Sequence, residues 1–259
     1  MPRQHLLLFA FALGLALPAA ARAQLDTGDR ARAQQERAYR DCMFLARAAP
    51  AAGLDSALGW ATRGGASGAR HCAAVALIGL GQYRAAAQRL EHLAAELRTG
   101  DPALSLDVLA QAGQAWNLAG DSPRALAVQS AALDLEPDNV ELLLDRSITL
   151  ATTKNYWEAV DDLNRALDLA PGRPDLLILR ARVYRNLDAI ELAREDIARA
   201  LSRAPNDPDA LLERGILRHL GGDESGARDD WLRVIGLAAG TPSAEAARAK
   251  LARLDGKVE

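Results

Sequence analysis

Cysteine, histidine, lysine and aromatic residues are all scarce in this 259-residue chain: two cysteines, four histidines and 4% rings. Two cysteines exclude a disulfide-dense scaffold, and His5, His71, His92 and His219 stand at none of the spacings a zinc cluster uses. No metal site and no cofactor is therefore expected. The few rings leave a core of aliphatic side chains. Lysine occurs only at Lys154, Lys250 and Lys257 while arginine is abundant, a bias of coding rather than the mark of an arginine-based site. With 31 basic and 34 acidic residues the net charge is −3, so the chain has no field that would hold nucleic acid. Gly-rich phosphate loops, a G-x-S-x-G elbow and an H-E-x-x-H helix are missing, and no enzyme is predicted.

Long apolar runs are missing as well. The run from Leu6 to Leu17 falls short of the roughly 20 residues a helix needs to cross a bilayer. Preceded by Arg3 and followed by Pro18 and Ala21-Arg22-Ala23, it reads as a secretory leader cleaved after Ala23, with Gln24 first in the mature chain. No cysteine near that point offers a lipid attachment site, so no direct membrane anchor is expected, and the product is expected to be periplasmic or secreted.

The rest of the chain repeats. Pro137, Pro171 and Pro205 lie 34 residues apart and close similar phrases, AALDLEPDN, RALDLAPGR and RALSRAPND. In the same register stand Ala125, Ala159, Ala193 and Ala227, and likewise Ala132, Ala166 and Ala200. The blocks are 106–139, 140–173, 174–207 and 208–241. Each holds two apolar stripes at helical spacing, split at Gly120-Asp121, Lys154-Asn155, Leu187-Asp188 or Gly222-Asp223, and so predicts a helical hairpin. Small residues recur where the two helices cross; the proline ends the second helix and suits the first turn of the next.

These features resemble the tetratricopeptide repeat family, whose pattern has small residues at positions 8, 20 and 27 and proline at 32. In the block at 106 they are Gly113, Ala125, Ala132 and Pro137, with Trp116 at position 11. Position 4, tryptophan in the family pattern, is leucine in all four blocks (Leu109, Leu143, Leu177, Leu211), and the last block has Val234 and Ala239 at positions 27 and 32. The resemblance implies an all-α fold, a right-handed solenoid of helical hairpins. A divergent repeat and linker at 67–105 and a degenerate hairpin at 24–66, with helices around Tyr39–Ala48 and Ala52–Ala61, precede the ordered blocks. A helix and tail at 242–259, with Ser243 as N-cap, would cover the last apolar face. These units nearly fill the chain and leave no room for a catalytic domain.

Three constellations stand out. Arg146, Arg180 and Arg214 occupy position 7 of consecutive blocks, and Asp162, Asp196 and Asp230 follow each by 16 residues; in the block before, both positions are apolar, Ala112 and Val128. Appearing and vanishing as a pair, they predict ion pairs between helices. Cys42 and Cys72 are either a disulfide, as an oxidising compartment favours, or two buried free thiols. His71, next to Cys72 on a helix, would point about 100° away from it and does not make a nucleophile–base pair. Glu224-Ser225 resembles the glutamate–serine of lytic transglycosylases, yet it falls in an inter-helix turn.

In the resembled family, positions 2, 5, 9 and 12 of first helices line a concave groove. Carried onto this chain, they include Gln114, Asn117, Leu144, Ile148, Ile178, Arg182, Arg185, Leu212, Ile216 and His219 as a partner-binding surface. Arg182 and Arg185 would take an acidic group or a carboxylate, or else be solvated or paired within the groove. The expected function is a periplasmic adaptor or scaffold binding peptide or helical segments of a protein partner. The alternatives are a homo-oligomerising structural module and, further off, a peptidoglycan-cleaving enzyme.

Overall fold

The computed structural model describes residues 19–256, with side chains from Asp29 onward. The leader's apolar run, Leu6–Leu17, lies outside the described residues, and the cleavage point after Ala23 falls in the first helix. Among the described residues there are thirteen helices and no strand: α1 (Ala19–Ala48), α2 (Pro50–Ala61), α3 (Ala66–Gly79), α4 (Tyr83–Leu97), α5 (Pro102–Leu118), α6 (Ser122–Leu135), α7 (Val140–Thr152), α8 (Tyr156–Leu169), α9 (Pro174–Asn186), α10 (Ile190–Arg203), α11 (Pro208–Leu220), α12 (Glu224–Leu237) and α13 (Pro242–Leu254). They divide into two compact units, one ending at Ala76 and one beginning at Leu77.

The first unit holds α1, α2 and most of α3. Helix α1 starts well before the stretch expected from Tyr39, because residues 19–38 contain no proline and are rich in alanine, arginine and glutamine, all strong helix formers. Cys42 of α1 and Cys72 of α3 form a disulfide. Tyr39 Oη lies 2.7 Å from His71 Nδ1, with the two rings stacked. His71 thus faces Tyr39 while its neighbour Cys72 faces Cys42. These ties draw the start of α3 into the first unit, past the boundary at residue 66 that the repeat count suggests. Helices α1 and α2 cross almost backbone to backbone: a Cβ on Gly53 would sit 2.5 Å from Ala46 Cα, so only glycine fits.

In the second unit the hairpins α5–α6, α7–α8, α9–α10 and α11–α12 follow one another, with α4 packed on α5 and α13 on α12. The recurring alanines, Ala125, Ala159, Ala193 and Ala227 with Ala132, Ala166 and Ala200, are all fully buried. Volume is traded across the crossing. Position 8 is Gly113, Ser147, Ala181 or Gly215, and it faces position 24, which is Gln129, Leu163, Ile197 or Trp231. Where Trp231 fills the second place, a Cβ on Gly215 would come within 2.4 Å of its indole Nε1.

Each hairpin turns in three residues. The N–H of Asp121, Asn155, Ala189 and Asp223 bonds back to the carbonyl of Trp116, Leu150, Tyr184 and Arg218, at 2.9–3.0 Å. This closure puts the preceding residue in the left-handed region, which Gly120 and Gly222 adopt freely but Lys154 (φ 65°) and Asp188 (φ 60°) do not. The residue after it starts the next helix, and Asp121 and Asp223 also cap it through their side chains.

Two local expectations are corrected. Pro137, Pro171 and Pro205 end the second helices but do not enter the next, because a short loop follows each; the first turns hold Pro174, Pro208 and Pro242 instead. The N-cap of α13 is Thr241, which accepts from Ala244 N, whereas Ser243 lies one residue inside the helix and donates from Oγ to Asp209 at 2.8 Å.

Gly215→Ala should lower stability by about 1–3 kcal/mol, since the buried Trp231 indole has nowhere to retreat. Lys154→Gly should raise it by roughly 0.5–1 kcal/mol by removing the left-handed penalty. Thermal melts of the two variants should shift in opposite directions.

Candidate functional site

Arginine at position 7 lies on the first helix of the hairpins α7–α8, α9–α10 and α11–α12, facing the second helix. Arg146 donates to both carboxylate oxygens of Asp162 (2.8 and 2.6 Å), Arg180 to Asp196 (2.7 and 2.7 Å) and Arg214 to Asp230 (2.9 and 2.6 Å). All three aspartates are buried. The hydrogen bonds it donates to its aspartate raise each guanidinium's pKa against the opposing effect of burial, so these arginines stay charged. Arg146 and Arg180 also reach back to the preceding hairpin, to Ser130 Oγ at 3.2 Å and Asn164 Oδ1 at 2.7 Å. The pairs therefore hold hairpins together and, at two junctions, clamp neighbours. They are structural, and in Arg146 and Arg180 the remaining edge of the guanidinium is taken up by that neighbour.

The first helices α5, α7, α9 and α11 form a row tied directly from one to the next. Gln114 donates to Asp145 (2.9 Å) and Asn117 to Thr149 (2.7 Å), linking α5 to α7. Arg173, just before α9, pairs with Glu141 on α7 and with Asp175, which lowers the pKa of the Asp175 carboxyl. Burial raises that of Asp145, with Gln114 working against the shift and Glu141 adding to it. Arg182 donates to Asp209 (2.9 Å), and Arg185 pairs with Glu213, linking α9 to α11.

This geometry corrects the expected groove in two ways. Ile178 is 4% and Leu212 8% exposed; both belong to the main core, because position 5 faces the neighbouring helix. Leu144 and Ile216 are partly buried against the same core, which leaves Ile148 as the exposed aliphatic residue of the set. Arg182 and Arg185, in turn, are occupied. Glu213, 1% exposed, sits between them, so an incoming carboxylate would have to displace a buried one. His219 is exposed at the end of α11, its ring 5.9 Å from Trp231. Glu224 and Ser225 are exposed in the first turn of α12.

Glu213 and Asp145 are what sequence reasoning missed, though a signal exists. Positions 9 and 6 of successive blocks, 31 residues apart, are Gln114 with Asp145, Ile148 with Leu179, and Arg182 with Glu213. Polar meets polar twice, and apolar meets apolar once. Among the described residues no cluster of histidine, cysteine or carboxylates could hold a metal ion, and no helix is long and apolar enough to cross a membrane.

The tetratricopeptide repeat family matches residues 119–184 and again 174–207. Residues 119–207 are built of tetratricopeptide repeats. Solved structures of this family share its all-α solenoid. MamA (41-end) from Desulfovibrio magneticus RS-1 is 19% identical, with a TM-score of 0.58 over 68% of this chain and 97% of that one. A tetratricopeptide repeat protein from Parabacteroides merdae ATCC 43184 is 22% identical, with a TM-score of 0.58 over 71% of each chain. YrrB, described as having an unusual peptide-binding site, is 16% identical with a TM-score of 0.51, over 70% of this chain and 91% of its own. No curated protein sequence matches. A tetratricopeptide repeat chain is a scaffold for protein–protein interaction, and such scaffolds are generally non-enzymatic.

Removing one partner of the Arg180–Asp196 pair strands the other charge in a poorly solvated place. Arg180→Ala and Asp196→Ala should each cost about 3 kcal/mol, and the double variant should cost less than their sum by roughly 1–3 kcal/mol. A double-mutant cycle by urea denaturation measures this; strict additivity would rule out the coupling.

Proposed function

We propose that this protein is an exported adaptor that acts by binding, holding a segment of a partner protein against its row of first helices. The observation that carries the reading is that α5, α7, α9 and α11 are fixed to one another by direct side-chain bonds and expose the same register positions at each step. Position 2 is an exposed carboxylate every time: Asp107, Glu141, Asp175 and Asp209. Ile148 adds an exposed aliphatic contact near the middle. Arg173 meets Glu141 and Asp175 and Arg182 meets Asp209, so four carboxylates face two arginines along this edge, and the surface favours a polar segment bearing basic groups over the acidic one the sequence suggested. A peptide-binding site on YrrB, of the same fold, supports the binding mode by analogy.

Export is supported by two independent features. One is the leader pattern ending at Ala23; the other is the Cys42–Cys72 disulfide, a bond that persists in oxidising compartments and is rare in reducing ones. The same surface is what a homo-oligomer would have to cover, so one experiment addresses both readings.

A photo-crosslinking residue placed at position 148, on the first-helix row, is compared with one at position 192, exposed on second helix α10. In envelope extracts, position 148 should yield adducts with a discrete protein other than this chain, competed away by excess unlabelled protein, while position 192 should not. Adducts of equal yield at both positions would overturn the surface assignment. Adducts of the chain with itself would replace the adaptor by a homo-oligomer.

A further inference from the structure

The three junctions between one hairpin and the next can be compared residue by residue, because they share one register. At α6–α7 the free edge of Arg146 donates from Nη1 to Ser130, and at α8–α9 that of Arg180 donates to Asn164. At α10–α11 the corresponding residue is Ala198, which has no acceptor to offer Arg214. Four positions on, Asp134 and Asp168 add negative charge near the first two arginines; here the residue is Ser202. The Arg214 side chain is 33% exposed, against 27% for Arg146 and 14% for Arg180.

The packing residues change at the same place. Positions 21 and 11 are Leu126 and Leu150 at the first junction and Val160 and Tyr184 at the second, all part of the core or packed on it. At the third they are Arg194 and Arg218. Position 14, Thr153 and then Leu187, becomes Gly221. Bulk is lost, one hydrogen-bond acceptor and one acid are lost and two guanidiniums are gained, all at one junction. A cavity of about 610 Å³ opens there. Ile197, Ala198, Leu201 and Leu217 are its apolar lining, with Arg194, Arg214, Arg218 and Asp223 as its charged groups.

The charges fit a single negative group. Asp230 accepts from both Arg214 and Arg218 (2.8 Å to the latter), and Asp223 lies 3.8 Å from Arg218 Nε. Those two carboxylates balance two of the three guanidiniums. Glu191 touches Arg194 at 3.5 Å as an exposed i,i+3 neighbour, a contact of little strength that a ligand can displace. Arg214 still has a donor edge facing a space bordered by aliphatic side chains. The volume lies in the range of small-molecule sites, about 300–1,000 Å³.

We propose that the α10–α11 junction is a binding site for a carboxylate borne on an apolar group, with Arg214 Nη1 and the Arg194 and Arg218 guanidiniums meeting the carboxylate and the Ile197–Leu201–Leu217 wall meeting the apolar part. A free small acid and the C-terminal residue of a peptide share this chemistry. The site uses the side of α11 that faces α10, and none of the residues the adaptor reading relies on, so it stands or falls apart from that reading.

The test titrates the full-length protein with three probes: N-acetyl-leucine, its neutral amide, and an alanyl-alanyl-leucine peptide with a free carboxyl end, read by calorimetry. N-acetyl-leucine should saturate the protein with a Kd at or below about 1 mM, and the amide should bind at least about tenfold more weakly. Tighter binding of the peptide would make a C-terminus the natural source; equal or weaker binding would make it a free acid. The decisive variant copies the second junction. Ala198→Asn combined with Ser202→Asp gives Arg214 the neighbours that Arg180 has, and should reduce N-acetyl-leucine binding by at least about tenfold without lowering the melting temperature. Equal binding of acid and amide, no saturation by the acid up to about 10 mM, or undiminished binding to the doubly substituted protein would overturn the proposal.

Discussion

A helical hairpin of about thirty residues cannot bury its own apolar faces, and the structure depends on satisfying that constraint by close stacking. Two helices come close enough only where side chains at the crossing are small. This chain meets the condition with alanine at position 20 of every block and at position 27 of the first three, and with a matched pair at positions 8 and 24, where the partner of Trp231 has shrunk to Gly215. Leucine at position 4 in every block then reaches across the interface that the alanines bring together. With aromatics at 4%, dense aliphatic contact takes the place of ring stacking, and the short, hydrogen-bonded turns follow from helices that must reverse without leaving a gap.

Charge enters the interfaces only in a compensated form. The Arg–Asp pairs lie between the helices of three successive hairpins with buried aspartates, and their bidentate geometry fixes the angle at which one helix meets the other. Such pairs add little net stability compared with an apolar isostere, but they penalise any register that separates them. The same logic governs the first-helix row, where Glu213 is buried because two arginines meet it. What internal pairing leaves over on this molecule is a surplus of carboxylates at position 2, where four acids meet two arginines, and the junction at α10–α11 where an arginine keeps a free edge.

Much of the fold was legible because repetition supplies its own alignment. Positions occupied four times by small residues, or three times by an arginine and an aspartate 16 residues apart, must meet a constraint that recurs. The Arg146–Asp162 spacing was readable for that reason, and so was the absence of the pair at Ala112 and Val128. The groove was less legible. Position 5 was assigned to open surface by resemblance, yet Ile178 and Leu212 are covered by the next helix, because exposure depends on how far one hairpin rotates against its neighbour. The occupation of Arg182 and Arg185 turned on Glu213, a residue whose pairing is visible only at a spacing of 31, between blocks rather than within one.

What the sequence by itself determined is the set of hairpins, their boundaries to within a turn, their small-residue crossings and the ion pairs inside them, since all of these are contacts at fixed separation in a 34-residue period. Tertiary structure alone decided which charges are spent and which surfaces stay open. Burial of Ile178, the sharing of Glu213 by two arginines and the cavity beside Ala198 each depend on several helices arriving at one point. Their packing angles, and not the spacing of any two residues, set the distance at which a side chain is either satisfied or left free.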